Sequence, residues 1–283
     1  MPQEPYLMKV RSIISNTISE EDLATGHLSI RFMSDGFSLL LESSDFKPII
    51  LNRFSNESIM PVSLLLQSAE DWLKRHTLLE RFKGEVTIVT DSAPATVVPE
   101  NLLSEEDLLL YLDPVAPIHP EGHVYQRKIK NRDVCVVAST PPHFLGFSKK
   151  FSVNARIYSP MEIMFSMSDQ INAADHQRGF CLLEVQQGYL GILMIRNDEI
   201  VIANQQKIRK PDEVIYHTLN AIKQLDFDRL ERPLYWSGDL MKEQRRELKK
   251  YIRNVVKLPY TIKDLEGKKV QEHILLTEAT RCA

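Results

Sequence analysis

Apolar and polar residues alternate along Leu28-Ser29-Ile30-Arg31-Phe32, break at Ser34-Asp35-Gly36, and resume in Phe37-Ser38-Leu39-Leu40-Leu41. A period of two lays one strand face on a core, and a short polar break ending in glycine between two such runs marks a hairpin. Pro48-Ile49-Ile50-Leu51 supplies a third strand. Beyond Pro61 the apolar positions shift to helical spacing at Leu64, Leu65, Ala69, Trp72 and Leu73, and Glu85-Val86-Thr87-Ile88-Val89 returns to a strand. The order then recurs. Phe180-Cys181-Leu182-Leu183-Glu184-Val185 runs into Gln186-Gln187-Gly188, Tyr189–Ile195 comes back, and Glu199–Ala203 completes a second meander after the Arg196-Asn197-Asp198 turn. Pro211 opens a helix with Val214, Ile215, Leu219, Ile222 and Leu225 on one face, and Pro233-Leu234-Tyr235-Trp236 is a short strand ending at Ser237-Gly238. One order used twice, from near 27 and from near 180, predicts a duplicated α/β chain.

Between the copies, Ser104-Glu105-Glu106-Asp107 has the pattern of a capping box opening a short helix through Leu112, and Pro114–Pro120 is a proline-punctuated loop. Val124–Ile129 and Asp133–Ala138, with a turn at Asn131, predict a hairpin whose second strand is apolar enough to be central in a sheet. A helix over Pro142–Phe151, a strand at Ala155–Tyr158 and a helix over Pro160–Ala174 follow. The domain boundary is expected at His176-Gln177-Arg178-Gly179, giving an N-terminal lobe with an inserted segment, 1–178, and a C-terminal lobe, 179–283. Within the latter, Met241–Lys257 is expected as a helix with an apolar set of Leu248, Ile252 and Val255 and a basic face.

Composition narrows the class without naming a function. A length of 283 residues suits two domains, and 43% hydrophobic with 26% charged residues is ordinary for a globular chain. The net charge of −3 gives no global basic field, so nucleic acid is not implied. Cys135, Cys181 and Cys282 are odd in number and far apart, which reads as reduced thiols. The N-terminus carries no basic start or apolar leader, and no run of about 18 apolar residues occurs, so a cytoplasmic chain without a transmembrane segment is expected.

The twice-used order of strand, turn, strand, strand, helix and strand resembles the superfamily of actin, sugar kinases and chaperone ATPases. The stretch Asp133–Lys207 resembles the actin-like assembly protein of type IV pili: a strand Val134–Ala138, a helix Pro142–Lys150, a strand Arg156–Tyr158, a helix Met161–Ala174, then the second meander. The whole chain also resembles a bacterial family of unknown function assigned the actin-like ATPase fold. The resemblance implies a duplicated actin-like ATPase (ribonuclease H-like) fold, with two lobes, each a mixed sheet flanked by helices.

In that superfamily each lobe's first hairpin cradles phosphate on backbone N–H groups, while a carboxylate holds the metal or its water. The resemblance therefore implies ATP with Mg²⁺ between the lobes. At the matching places stand Asp35 and Gly36 in lobe one, Glu184, Gln186 and Gly188 in lobe two, and Ser237-Gly238 for the adenosine turn. Each motif is degraded: Asp35-Gly36 also reads as a type I′ turn, Gln186 replaces the glycine needed for close approach, and one glycine of two survives at Gly238. Efficient ATP hydrolysis is not expected, because phosphoryl transfer depends on electrostatic parts that these changes remove.

Two functions follow as rivals. One is a non-catalytic or weakly nucleotide-binding scaffold that holds a protein partner, with contact residues at Arg245, Arg246, Lys249 and Arg253 on the basic helix and along the loop Pro114–His123. The other is an ATP-binding switch, ATPase or kinase using the interlobe cleft, with Glu184 facing the metal; a sugar kinase would need a catalytic aspartate, for which Asp91 has the address. His119, Glu121 and His123 could grip a metal but lack further ligands and read as a solvated loop. Sequence specifies neither the partner nor the oligomeric state.

Overall fold

The computed structural model describes residues 8–260 and 270–282. The first lobe opens with strand β1 (Lys9–Ser15) and helix α1 (Glu20–Thr25), then builds its meander from β2 (His27–Met33), β3 (Gly36–Glu42) and β4 (Pro48–Ser55). Helices α2 (Val62–Arg75) and α3 (Leu78–Arg81) carry the chain over to β5 (Glu85–Thr90), parallel to β2. An insertion follows: β6 (Ala95–Pro99), α4 (Leu109–Leu112), β7 (His123–Lys128) and β8 (Val134–Thr140), with β8 central in a three-stranded sheet as its apolar run implied. Helix α5 (Pro142–Ser148), strand β9 (Ala155–Tyr158) and helices α6 (Pro160–Ser168) and α7 (Ala173–Arg178) close the first copy. The second copy runs β10 (Phe180–Gln186), β11 (Tyr189–Arg196), β12 (Glu199–Lys207), α8 (Pro211–Gln224), β13 (Leu234–Gly238), α9 (Lys242–Leu248), β14 (Val255–Lys257) and α10 (Val270–Arg281).

The duplication is visible in the strand order. Beyond the extra edge strand β1, the first sheet reads β4-β3-β2-β5-β9, and the second reads β12-β11-β10-β13-β14. In both, the meander strands are antiparallel, and the strand after the helix lies parallel to the first. A late helix of each copy lies between the two sheets. Helix α6 lies against β11 and β12 of the second sheet, α10 lies against β13 of the second sheet as well as β2, β3 and β5 of the first, and the two helices pack on each other. One core covers the first sheet's outer face under α2, a second covers the other sheet under α8, and a third, with Met161, Phe165, Ile274 and Leu275, fills the space between the sheets.

Several local expectations change. Ser104 makes no side-chain cap, and the segment forms a 3₁₀ turn at Glu105–Asp107 before α4. The helix expected over Pro160–Ala174 is two, because Asn172 caps a new start by accepting the Asp175 N–H at 3.0 Å. The helix expected over Met241–Lys257 stops at Leu248; the chain turns, and Val255 pairs with Leu234 in a parallel ladder. Strands β1 and β6 and helix α10 carried no clear pattern and are found only in the structure. The described residues include no helix long and apolar enough to cross a membrane, and the three cysteines are unbridged.

Candidate functional site

The two meanders share a register at their tips. Met33 pairs with Gly36 and Gln186 with Tyr189, leaving Ser34-Asp35 and Gln187-Gly188 as two-residue turns. Counting back two residues from each closing pair makes Arg31 and Glu184 equivalent positions. The parallel strands extend the correspondence to Asp91 and Asp239. The Asp91 N–H donates to the Phe32 carbonyl at 3.1 Å, and the Asp239 N–H to the Val185 carbonyl at 2.7 Å.

These equivalent residues meet across the lobes. Arg31, 2% exposed, donates from Nε and Nη2 to the two Asp91 oxygens at 2.9 and 3.2 Å, and from Nη1 to Glu184 Oε1 at 2.5 Å. The other Glu184 oxygen accepts from the Ser237 hydroxyl. Burying a charge costs several kcal/mol unless partners replace its water, and a guanidinium with its planar fork can serve two carboxylates at once. Burial works against the charge on Arg31, but Asp91 and Glu184 outweigh it and hold the group more firmly protonated than usual. Burial also pushes the Asp91 carboxyl up to about 6, even beside Arg31.

One Asp35 oxygen is likewise engaged, since Arg53 Nη2 donates to Oδ2 at 2.6 Å, while Oδ1 is buried without a hydrogen-bond partner among the described residues. Neither Ser34, Asp35 nor Gly36 takes a positive φ, so the turn is not the type I′ that Asp35-Gly36 implied; Gly36 begins the return strand. The tips touch: Ser34 Oγ donates to the Gln187 carbonyl at 2.6 Å. Gly188 has φ +82°, and a Cβ there would lie 2.4 Å from Ser34 Oγ. Gly238, φ +80°, sits so close to β10 that a Cβ would lie 2.0 Å from the Val185 carbonyl oxygen, a packing reason for glycine that involves no ligand.

Nucleotide with Mg²⁺ does not fit this arrangement. A phosphate cradled by both tips would have to break the Ser34–Gln187 bond, and a metal held by Glu184 would have to displace Arg31. A concavity of about 470 Å³ does open outside the tips, lined by Ser34, Ile59, Gly188, Lys210 and Met241 among others. Burial raises the Asp239 carboxyl above its ordinary range, with Glu272 adding to the effect.

Residues 15–255 match a family described as a protein of unknown function, DUF3822. The chain belongs to this family. No curated protein matches the sequence at a significant level. A solved structure from Bacteroides thetaiotaomicron, described as having an actin-like ATPase fold and unknown function, superposes with TM-score 0.74 at 19% identity over 95% of this chain and 100% of that one. The PilM–PilN type IV pilus biogenesis complex gives 0.57 at 14% identity, covering 90% of this chain and 98% of that one. The ethanolamine utilization protein EutJ from Carboxydothermus hydrogenoformans gives 0.52 at 8% identity, over 95% and 93% of the two chains. This member of DUF3822 therefore has the actin-like ATPase fold.

The other sequence-predicted residues separate in space. Gln186 Nε2 lies 3.4 Å from Glu184 Oε1, and the residue lines the concavity outside the tips. Arg245, Arg246 and Lys249 line one concavity, joined by Lys242 and Lys257, whereas Arg253 lies past the helix, its backbone N–H donating to the Arg229 carbonyl at 3.0 Å. Asp91 is bound to Arg31 and is no free base. His119 Nδ1 accepts the Glu121 N–H at 3.2 Å, closing a local turn. Arg31 itself escaped the sequence reading. Its sign was a lone cation in an otherwise short-chained apolar strand, which alternation alone assigns to the solvent face.

Proposed function

We propose that this DUF3822 protein is a non-catalytic actin-fold scaffold that works by holding a protein partner in the cytoplasm. The observation that carries this reading is Arg31, which bridges Asp91 of one lobe and Glu184 of the other where a nucleotide's metal would otherwise be held. A side-chain cation supplied by the chain itself satisfies both carboxylates without a ligand and keeps the lobes together. Division near Arg178 into the lobes 1–178 and 179–283 belongs to the same proposal. That PilM, which shares the fold, occurs in a complex with PilN supports a partner-holding role by analogy of fold.

A thermal-shift titration with Mg-ATP, alongside a phosphate-release assay, tests it. The expected result is an unchanged melting temperature and no turnover, because a ligand that binds only the native state raises the midpoint by mass action. Hydrolysis that disappears in Glu184→Ala would overturn the reading and establish the ATP-dependent switch in its place.

A further inference from the structure

Lys242, Arg245, Arg246, Lys249 and Lys257 converge on a concavity of about 530 Å³ between α9 and β14, with Trp236 and Val255 as its buried floor and, among the described residues, Glu243 as its one carboxylate. Among the described residues none of these five cations has an ion-pair partner, although neighbouring Lys250 is bound to Glu247 at 2.7 Å. The Arg245 guanidinium lies 4.9 Å over the Trp236 ring, and its Nε is buried without a hydrogen-bond acceptor. Lys257 Nζ lies 6.0 Å from the same ring.

Fold stability does not account for this cluster. Lys242 and Arg246, and Arg245 and Lys249, stand four residues apart, the spacing at which like charges on a helix repel. The helix dipole favours Arg245 and Arg246 in the last turn, but opposes Lys242 at the first residue. A chain whose net charge is −3 thus gathers unpaired positive charge at one place, against its overall balance.

We propose that this concavity docks an acidic, extended segment of a partner protein, a proposal that rests on the scaffold reading and deepens it. Lys242 and Lys249 lie about 10 Å apart along the helix axis, the span of about three residues of an extended chain, so alternate carboxylates reach successive cations. A single phosphate is a poorer match: among the described residues no glycine lines the concavity to offer a backbone nest, and the charge is spread rather than focused. Nucleic acid is also disfavoured, because Arg245 and Lys257 already cover the indole on which a base would stack.

The test uses the full chain and fluorescence anisotropy with a short labelled peptide of alternating Asp and Ser. Matched probes are its Asn-for-Asp counterpart and a single-stranded oligonucleotide of equal charge. The acidic peptide is expected to bind, the Asn peptide not to bind, and added salt to weaken the complex. Arg246→Glu with Lys249→Glu should weaken binding by about tenfold or more at unchanged circular dichroism. Lys242→Glu, on another turn, should act in the same direction should the double variant misfold. Absence of peptide binding, undiminished binding by the folded reversal variants, or tighter binding of the oligonucleotide each overturns the proposal. If the peptide fails and ATP is also ignored, this surface falls and the scaffold reading stands; ATP turnover lost in Glu184→Ala overturns the scaffold reading itself.

Discussion

Arg31 is the shared partner of two buried carboxylates, and its loss would leave Asp91 and Glu184 without this counter-charge. Arg31→Met should destabilise the protein by about 3–5 kcal/mol, the usual penalty for breaking one side of a buried ion pair. Adding Asp91→Asn and Glu184→Gln should recover much of that loss, which urea unfolding would measure; no recovery would show that Arg31 matters by packing alone. Glu42 is a second buried carboxyl with a testable consequence. Burial is the largest effect on it and raises it to about 7, against the Thr280 hydroxyl and Arg281. Thr280 Oγ1 lies 2.8 Å from Glu42 and 2.7 Å from the Thr277 carbonyl, so a protonated Glu42 can donate to Thr280 while Thr280 donates onward. Since the folded state holds this proton more tightly than the unfolded chain, Glu42's contribution to stability is present below pH 4.5 and is lost as pH rises through about 7. Glu42→Gln should therefore raise the melting temperature at pH 8 and change it little at pH 4.5; an equal shift at both would disprove the assignment. Neither residue's role is legible from sequence: Arg31 falls on the polar face of an alternating strand, and Glu42 lies just past the apolar run Phe37–Leu41.

At the scale of elements, the two hairpin tips are joined by the Ser34–Gln187 hydrogen bond. Ser34→Ala removes one hydrogen bond, worth about 1 kcal/mol, and Gly188→Ala adds a Cβ at positive φ and in contact with Ser34. Each should destabilise, Gly188→Ala by about 1–2 kcal/mol. In the double variant the costs should sum to less than the two alone, because removing the Ser34 hydroxyl vacates the space the new methyl needs. Strict additivity in denaturant unfolding would mean that the tips do not touch in solution. Elements were legible where the apolar period was unambiguous, as in β9, placed at Ala155–Tyr158 by its pattern. They were not where two structures fit one spacing. Leu248, Ile252 and Val255 keep a helical period, yet all three are buried by a helix end, a turn and a strand in succession. Helix α10 has the opposite difficulty: buried on nearly every side, with Gln271, Thr277 and Glu278 among its buried residues, it shows no apolar stripe.

For the whole molecule, the packing of α6 on the second sheet and of α10 on both sheets implies that the lobes unfold together. The chain's two tryptophans lie one in each lobe, Trp72 in α2 and Trp236 in β13. Single-tryptophan variants, Trp236→Phe and Trp72→Phe, should give fluorescence transitions that each coincide with circular dichroism of the same variant. A lobe that melts ahead of the backbone signal would show that the helices do not couple the halves. The sequence by itself determined the order of strands and helices and their repetition, because periodicity and turn chemistry act over a few neighbouring residues. Tertiary structure alone decided which polar faces became interior. Arg31 meets Glu184 across 153 residues of chain and Thr280 meets Glu42 across 238, and such pairs exist only once two lobes and a crossing helix have enclosed surfaces that each strand, read separately, would leave to water.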